Sequence, residues 1–114
     1  MKPNDIKELR LISIEKLLEM QINNVPFTLV DALPHESYEE GHLPGAVNIP
    51  ADVIAQKADS KLDKNKTVVT YCANYACEAS TDAARQLMER GYADVLDFKG
   101  GKRVWQEAGF ELEK

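Results

Sequence analysis

The run Phe27-Thr28-Leu29-Val30 is β-prone yet does not alternate between apolar and polar residues. A strand with one wet face shows that alternation. A near-continuous run marks a strand covered on both faces, as in a parallel sheet sandwiched between helices. The rest of the chain keeps to this plan. Ser13 precedes Ile14, Leu17, Leu18 and Ile22, the spacing of a short amphipathic helix with a serine N-cap, and Asn23-Asn24 and Pro26 stop it. Residues 37–41 read as one helical turn ended by Gly41, and Ala46-Val47-Asn48-Ile49 as a brief strand closed by Pro50. The spacing predicts a helix from Asp52 to Lys57. Thr67-Val68-Val69-Thr70-Tyr71 is the clearest strand. Between Ser80 and Arg90, Ala83, Ala84, Leu87 and Met88 line one helical face ahead of Gly91. Residues 94–98 form a fourth strand, Gly100-Gly101 a loop, and Lys102 to Ala108 a last short helix. Strands alternating with helices predict an α/β domain with a mostly parallel central sheet and helices on both faces.

With 114 residues the chain has the length of one domain, spanning 1–114, with residues 1–5 expected to be a loose terminus. A net charge of −5 argues against nucleic acid or an anionic membrane surface as partner. No apolar stretch is long enough to cross a bilayer. The first twenty residues carry charges throughout and lack the apolar core of a signal peptide, so the expected compartment is the cytoplasm. Two cysteines are too few for a disulfide-stapled scaffold, and in a reducing compartment thiols are more often reactive or metal-bound. His35, His42, Cys72 and Cys77 have poor spacing for zinc, so no metal site is expected. Oligomeric state is left open.

Parallel sheets carry their chemistry in loops beyond the carboxyl ends of the strands. That rule selects Cys72, directly after the clearest strand, and the loop that runs to Ser80-Thr81 at the start of the next helix. A thiol there sits among backbone N–H groups, facing the positive end of a helix dipole. Both favour an anion, and the expected consequence is a thiol pKa below the free value. The alternative is a buried, inert cysteine acting as a small hydrophobe.

Three stretches resemble the single-domain rhodanese family of sulfurtransferases: residues 30–50 (VDALPHESYEEGHLPGAVNIP), 68–72 (VVTYC) and 98–114 (FKGGKRVWQEAGFELEK). They occur in the family's order and at its usual separations, and the core from Glu39 to Ala46 is specific. The resemblance implies a rhodanese-like three-layer domain. It makes Cys72 the nucleophile that takes sulfane sulfur as a persulfide, with Ala73, Asn74, Tyr75, Ala76, Cys77 and Glu78 as the substrate-binding loop. It further implies a two-step displacement between a small-molecule or protein sulfur donor and a thiol acceptor, with no cofactor. His42, Pro44 and Gly45 become architectural, and Trp105 packs the last helix into the core.

The loop departs from the family pattern in two ways. It is longer than usual, and no Lys or Arg lies between Cys72 and Asp82. Thiosulfate is a dianion, so a loop without a cation and with Glu78 is expected to bind it less well. Glu78 also stands where Cys-x5-Arg phosphatases carry their arginine, which excludes phosphatase chemistry. The second departure is Cys77, which makes the loop a Cys-x4-Cys variant. Cys77 is either a resolving thiol that attacks a persulfide on Cys72 or neutral loop filler. Two other readings of the chain follow: a dithiol redox protein that cycles Cys72 and Cys77, and a non-catalytic sulfur-carrier or binding module. Tyr75 either walls the pocket or points to solvent. Lys102 and Arg103 face either the mouth of the site or open water.

Overall fold

The computed structural model describes residues 8–114; the loose terminus expected at the start lies outside the described residues. In chain order the elements are β1 (Arg10–Leu11), α1 (Ile14–Ile22), β2 (Phe27–Asp31), α2 (His35–Glu40), β3 (Val47–Asn48), α3 (Ile54–Lys61), β4 (Thr67–Tyr71), α4 (Ala79–Glu89), β5 (Val95–Phe98) and α5 (Gly101–Glu107). The five strands form one sheet in the order β1-β5-β4-β2-β3. All its neighbours run parallel, and an isolated antiparallel bridge joins His42 to Glu113 outside it.

The central strands are buried on both faces, as the near-continuous apolar run of β2 predicts. Val68 of β4 points with Val30 and Val95 toward α3 and α4, where Ile54, Ala58, Ala83, Ala84 and Leu87 close over them. Val69 and Tyr71 point the other way, with Leu29, Leu96 and Phe98, against Leu17 and Met20 of α1 and Trp105 of α5. The result is three layers with two cores, one on each face of the sheet.

Ser13 caps α1 as its sequence suggests, its Oγ accepting from the Lys16 N–H at 3.1 Å. Such a cap contributes about 1 kcal/mol. Boundaries elsewhere differ from the sequence reading. α2 begins at His35, because Pro34 has a φ of −56° and can open a helix without an N–H to satisfy. α3 runs from Ile54 to Lys61 rather than from Asp52 to Lys57, since Pro50 and Val53 first make a turn. β1 is a fifth strand that sequence periodicity does not reveal. It is two residues long and pairs through its backbone, Arg10 with Leu96 and Leu11 with Asp97, while both side chains stay exposed.

Candidate active site

Beneath the carboxyl ends of β2 and β4 lies a buried polar cluster. The Tyr71 hydroxyl donates to Asp31 Oδ2 at 2.7 Å and accepts from the Leu43 N–H at 3.0 Å. Asp31 Oδ1 accepts from the Leu33 N–H at 2.9 Å. Burial holds the Asp31 carboxyl above its ordinary value, although Tyr71, Leu33 and more distant Lys102 and His42 pull the other way. Burial likewise pushes the Tyr71 phenol far up, followed by the charge of Asp31 beside it. The cluster ties the 41–46 segment to the last residue of β4, so the residue after Tyr71 starts from a fixed point. His42 belongs to this frame. Its ring stacks on Tyr38 at 3.9 Å, its Nδ1 lies 3.0 Å from the Tyr38 carbonyl, and its backbone pairs with Glu113.

Cys72 follows, fully buried. Its carbonyl accepts from the Lys102 N–H at 3.0 Å, and that of Ala73 from the Arg103 N–H at 2.9 Å, so the first turn of α5 clamps the backbone of the site. Gly101 allows the approach. It has a φ of +61°, and a Cβ there would fall 2.1 Å from the Cys72 oxygen, which no other residue tolerates.

The loop is organised by Asn74. Its Oδ1 accepts from the N–H groups of Ala76 and Cys77 at 3.0 and 3.2 Å, an Asx turn that brings Cys77 back over Cys72. The Cys72 sulfur lies 3.4 Å from the Cys77 carbonyl and 3.4 Å from Ser80 Oγ. The Ser80 N–H also points at it, so the thiol faces the first turn of α4. Yet its pKa is raised, contrary to the sequence expectation. Burial is the main cause, and interaction with the Cys77 thiol adds to it, outweighing the Ser80 hydroxyl and N–H. Cys77 is half-buried and shows the opposite balance. Burial works against its charge, but the Cys72 thiol, the N–H groups of Ala73 and Ala79, and Lys99 together lower its pKa. Of the two sulfurs, Cys77 is the better place for a negative charge.

Lys99 is the group sequence reasoning missed. The loop itself lacks a cation, but Lys99, just past β5, supplies one. Its Nζ donates to the Cys77 carbonyl at 3.1 Å and to Thr81 Oγ1 at 3.0 Å, and lies 3.5 Å from Glu78 Oε2. Thr81 in turn donates to the fully buried Asp97 at 2.9 Å. The signal available in sequence was only that Lys99 follows a strand neighbouring β4, which places it at the same end of the sheet.

The other loop residues are distributed unevenly. Ala73 and Cys77 face the sulfurs, whereas Tyr75 is 66% exposed and points to solvent. Asn74 and Ala76 shape the turn, and the Glu78 side chain reaches the exterior while meeting Lys99. Lys102 does not lie in open water: its Nζ donates to the Ser37 carbonyl at 2.7 Å. Arg103 is exposed and pairs with Glu107. Trp105 packs in the core with its Nε1 donating to the Glu111 carbonyl. A hollow of about 390 Å³ lined by Pro34, His35, Pro50, Asp52 and Ala79 opens beside the loop. Among the described residues no cluster of His, Cys, Asp and Glu is placed to hold a metal ion, and no helix is long and apolar enough to cross a membrane.

Compared with protein families, residues 13–108 match the Rhodanese-like domain. A sulfurtransferase of Allochromatium vinosum is 30% identical over 101 residues, covering 89% of this chain and 92% of that protein. The thiosulfate sulfurtransferase GlpE of Coxiella burnetii is 32% identical over 78 residues, 68% of this chain and 70% of its own length. A 38% identical match, the HTH-type transcriptional regulator Rv0324 of Mycobacterium tuberculosis, is a longer protein, of which this chain spans 38%. The putative sulfur carrier protein YrkF of Bacillus subtilis is 28% identical, and the chain spans 49% of it. Among solved structures, the BH2092 protein of Bacillus halodurans superposes with a TM-score of 0.84 at 30% identity, covering 91% of this chain and 76% of that one.

Proposed function

The chain belongs to the rhodanese-like family, and from that premise we propose that it is a sulfurtransferase whose Cys72 carries sulfane sulfur as a persulfide. The observation that carries this reading is the setting of the Cys72 sulfur: end of β4, first turn of α4 ahead, Ser80 hydroxyl and N–H as partners. In the first step the Cys72 thiolate attacks the outer sulfur of a donor RS–SH, forming Cys72–S–SH and releasing RS⁻. In the second, an acceptor thiolate takes that outer sulfur and returns Cys72 as thiolate. Cys77, whose pKa is lowered beside Cys72, is the side chain to receive the Cys72 proton in this reading. The steps need no metal or organic cofactor. Donor and acceptor are small thiols or thiol-bearing proteins, in a reducing compartment such as the cytoplasm.

Intact-mass measurement after exposure to a glutathione persulfide tests the reading. The expected result is a gain of one sulfur atom, lost again on adding a thiol and located on Cys72 by peptide mapping. No gain, or a gain that survives Cys72→Ser, overturns it.

One observation favours a second reading. The two thiols interact directly, with the proton favoured on Cys72 and the charge on Cys77. In it, Cys77 attacks the inner sulfur of Cys72–S–SH, forming the Cys72–Cys77 disulfide and expelling HS⁻. Two equivalents of a small thiol then reduce the disulfide. A Cys77→Ser chain that still releases sulfide at the native rate would sink this branch and leave the first intact.

A further inference from the structure

The Cys77 half of the loop is held from outside the loop. Lys99 reaches its carbonyl at 3.1 Å, the same carbonyl that the Cys72 thiol approaches at 3.4 Å, so one acceptor ties the cation to both cysteines. A third link runs from Nζ through Thr81 Oγ1 to Asp97, a carboxylate fully buried on β5. The Lys99 side chain is only 21% exposed, so its charge is poorly screened where it meets the loop. Its contact with Glu78 is different in kind. That carboxylate is 79% exposed and does little to neutralise the lysine. We propose that Lys99 is the positioning residue of the dithiol, the cation that places Cys77 as the attacking partner of a persulfide on Cys72. The assignment rests on the Cys77 branch described above.

Among the described residues, the charged and titratable groups around Cys77 are few. Cys72 comes from the end of β4, Glu78 is next in the loop, and Lys99 comes from the end of β5. Asp97 stands behind Thr81, Lys102 is taken by the Ser37 carbonyl and Arg103 by Glu107. Lys99 is thus the cation of the set in contact with the loop. Against the burial that opposes it, the Cys77 thiolate is favoured by the Cys72 thiol, then the N–H groups of Ala73 and Ala79, and Lys99 adds its charge to them. The step it supports is balanced: Cys77–S⁻ and Cys72–S–SH become the disulfide and HS⁻, with no oxidant needed.

The test is the rate of iodoacetamide labelling of each cysteine across pH, read peptide by peptide, in the wild-type chain, Lys99→Met and Lys99→Arg. It uses no sulfur donor, so it stands or falls separately from the transfer reaction. Lys99→Met is expected to move the Cys77 labelling midpoint to higher pH, reading as about threefold less labelling near neutrality for a shift of half a pH unit. Lys99→Arg restores it, and the Cys72 profile, tied to Cys77, moves less than that of Cys77. If Lys99 merely pins the loop, Lys99→Met raises the labelling plateau at every pH and leaves the midpoint where it was. That outcome overturns the proposal, as does an unchanged profile. Thermal unfolding of each variant identifies any loss of fold.

Discussion

Two polar assemblies meet at the carboxyl end of the sheet, and they are built on opposite principles. The one under Tyr71 is buried, neutral in its donors and held by fixed backbone groups: Asp31, Leu43 and Leu33 lie within 3.0 Å of their partners. The one over Cys72 is a loop folded on its own Asn74, with sulfur contacts of 3.4 Å and a cation borrowed from β5. Short bonds among buried groups fix position, because misplacing any member leaves a polar atom unsatisfied. Longer sulfur contacts and a cation from outside the loop bias ionisation and fix position less tightly. The difference separates a strand end held by short buried bonds from a loop held by longer sulfur contacts.

The strongest way to break the comparison is Cys72→Ser. It removes the sulfur proposed to react while keeping shape, so persulfide formation should fall to background, a loss of at least about 10³-fold. The unfolding midpoint in urea should stay close to that of the parent. Gly101→Ala attacks the clamp between the two assemblies. A Cβ against the Cys72 carbonyl, on a backbone in the left-handed region, should cost about 3 kcal/mol in urea unfolding and slow sulfur uptake as well.

Tyr71→Phe cuts only the lower assembly. It leaves Asp31 and the Leu43 N–H each short of a partner and should cost about 2 kcal/mol at neutral pH, with sulfur uptake retained. The pH dependence has a definite sign. Because burial raises the Asp31 pKa, its contribution is fully present below the unfolded value of 3.8 and is lost as pH rises through the folded one. Removing the phenol donor raises that folded value further. The stability gap between variant and parent should therefore be smallest below the ordinary carboxylate range and widen upward, as unfolding curves at several pH values would show. Asn74→Ala touches only the loop. It should change stability by less than about 1 kcal/mol, yet release Cys77 from Cys72 and slow sulfide release.

The lower assembly was half legible in the sequence. The near-continuous run in β2 predicted burial on both faces, and Cys72 after the clearest strand, β4, marked the end of the sheet where chemistry is expected. Tyr71 itself reads as one more β-prone residue, and nothing near it in sequence foretells a carboxylate forty positions away. The loop was legible in its residues and misread in its charge. Counting from Cys72 to Asp82 finds no cation, because the cation comes from an adjacent strand whose register only the folded sheet supplies. The expected low pKa of Cys72 failed for a related reason. Helix ends and N–H groups can be inferred from a strand–loop–helix pattern, but the depth of burial that overrides them cannot. β1 escaped notice because two exposed residues joined by backbone bonds alone leave no hydrophobic pattern.

The clamp of α5 on the Cys72 and Ala73 carbonyls has a consequence for the order in which the protein is made. Translation proceeds from the amino end, so the strand bearing the thiol exists before the glycine that must nestle against it. Gly101 is added about 30 residues later, a delay of a few seconds at about 5–20 residues per second. During that interval the nascent cysteine lacks the lid of backbone donors that completes its surroundings. The surroundings of this thiol are thus completed only by a segment made after it.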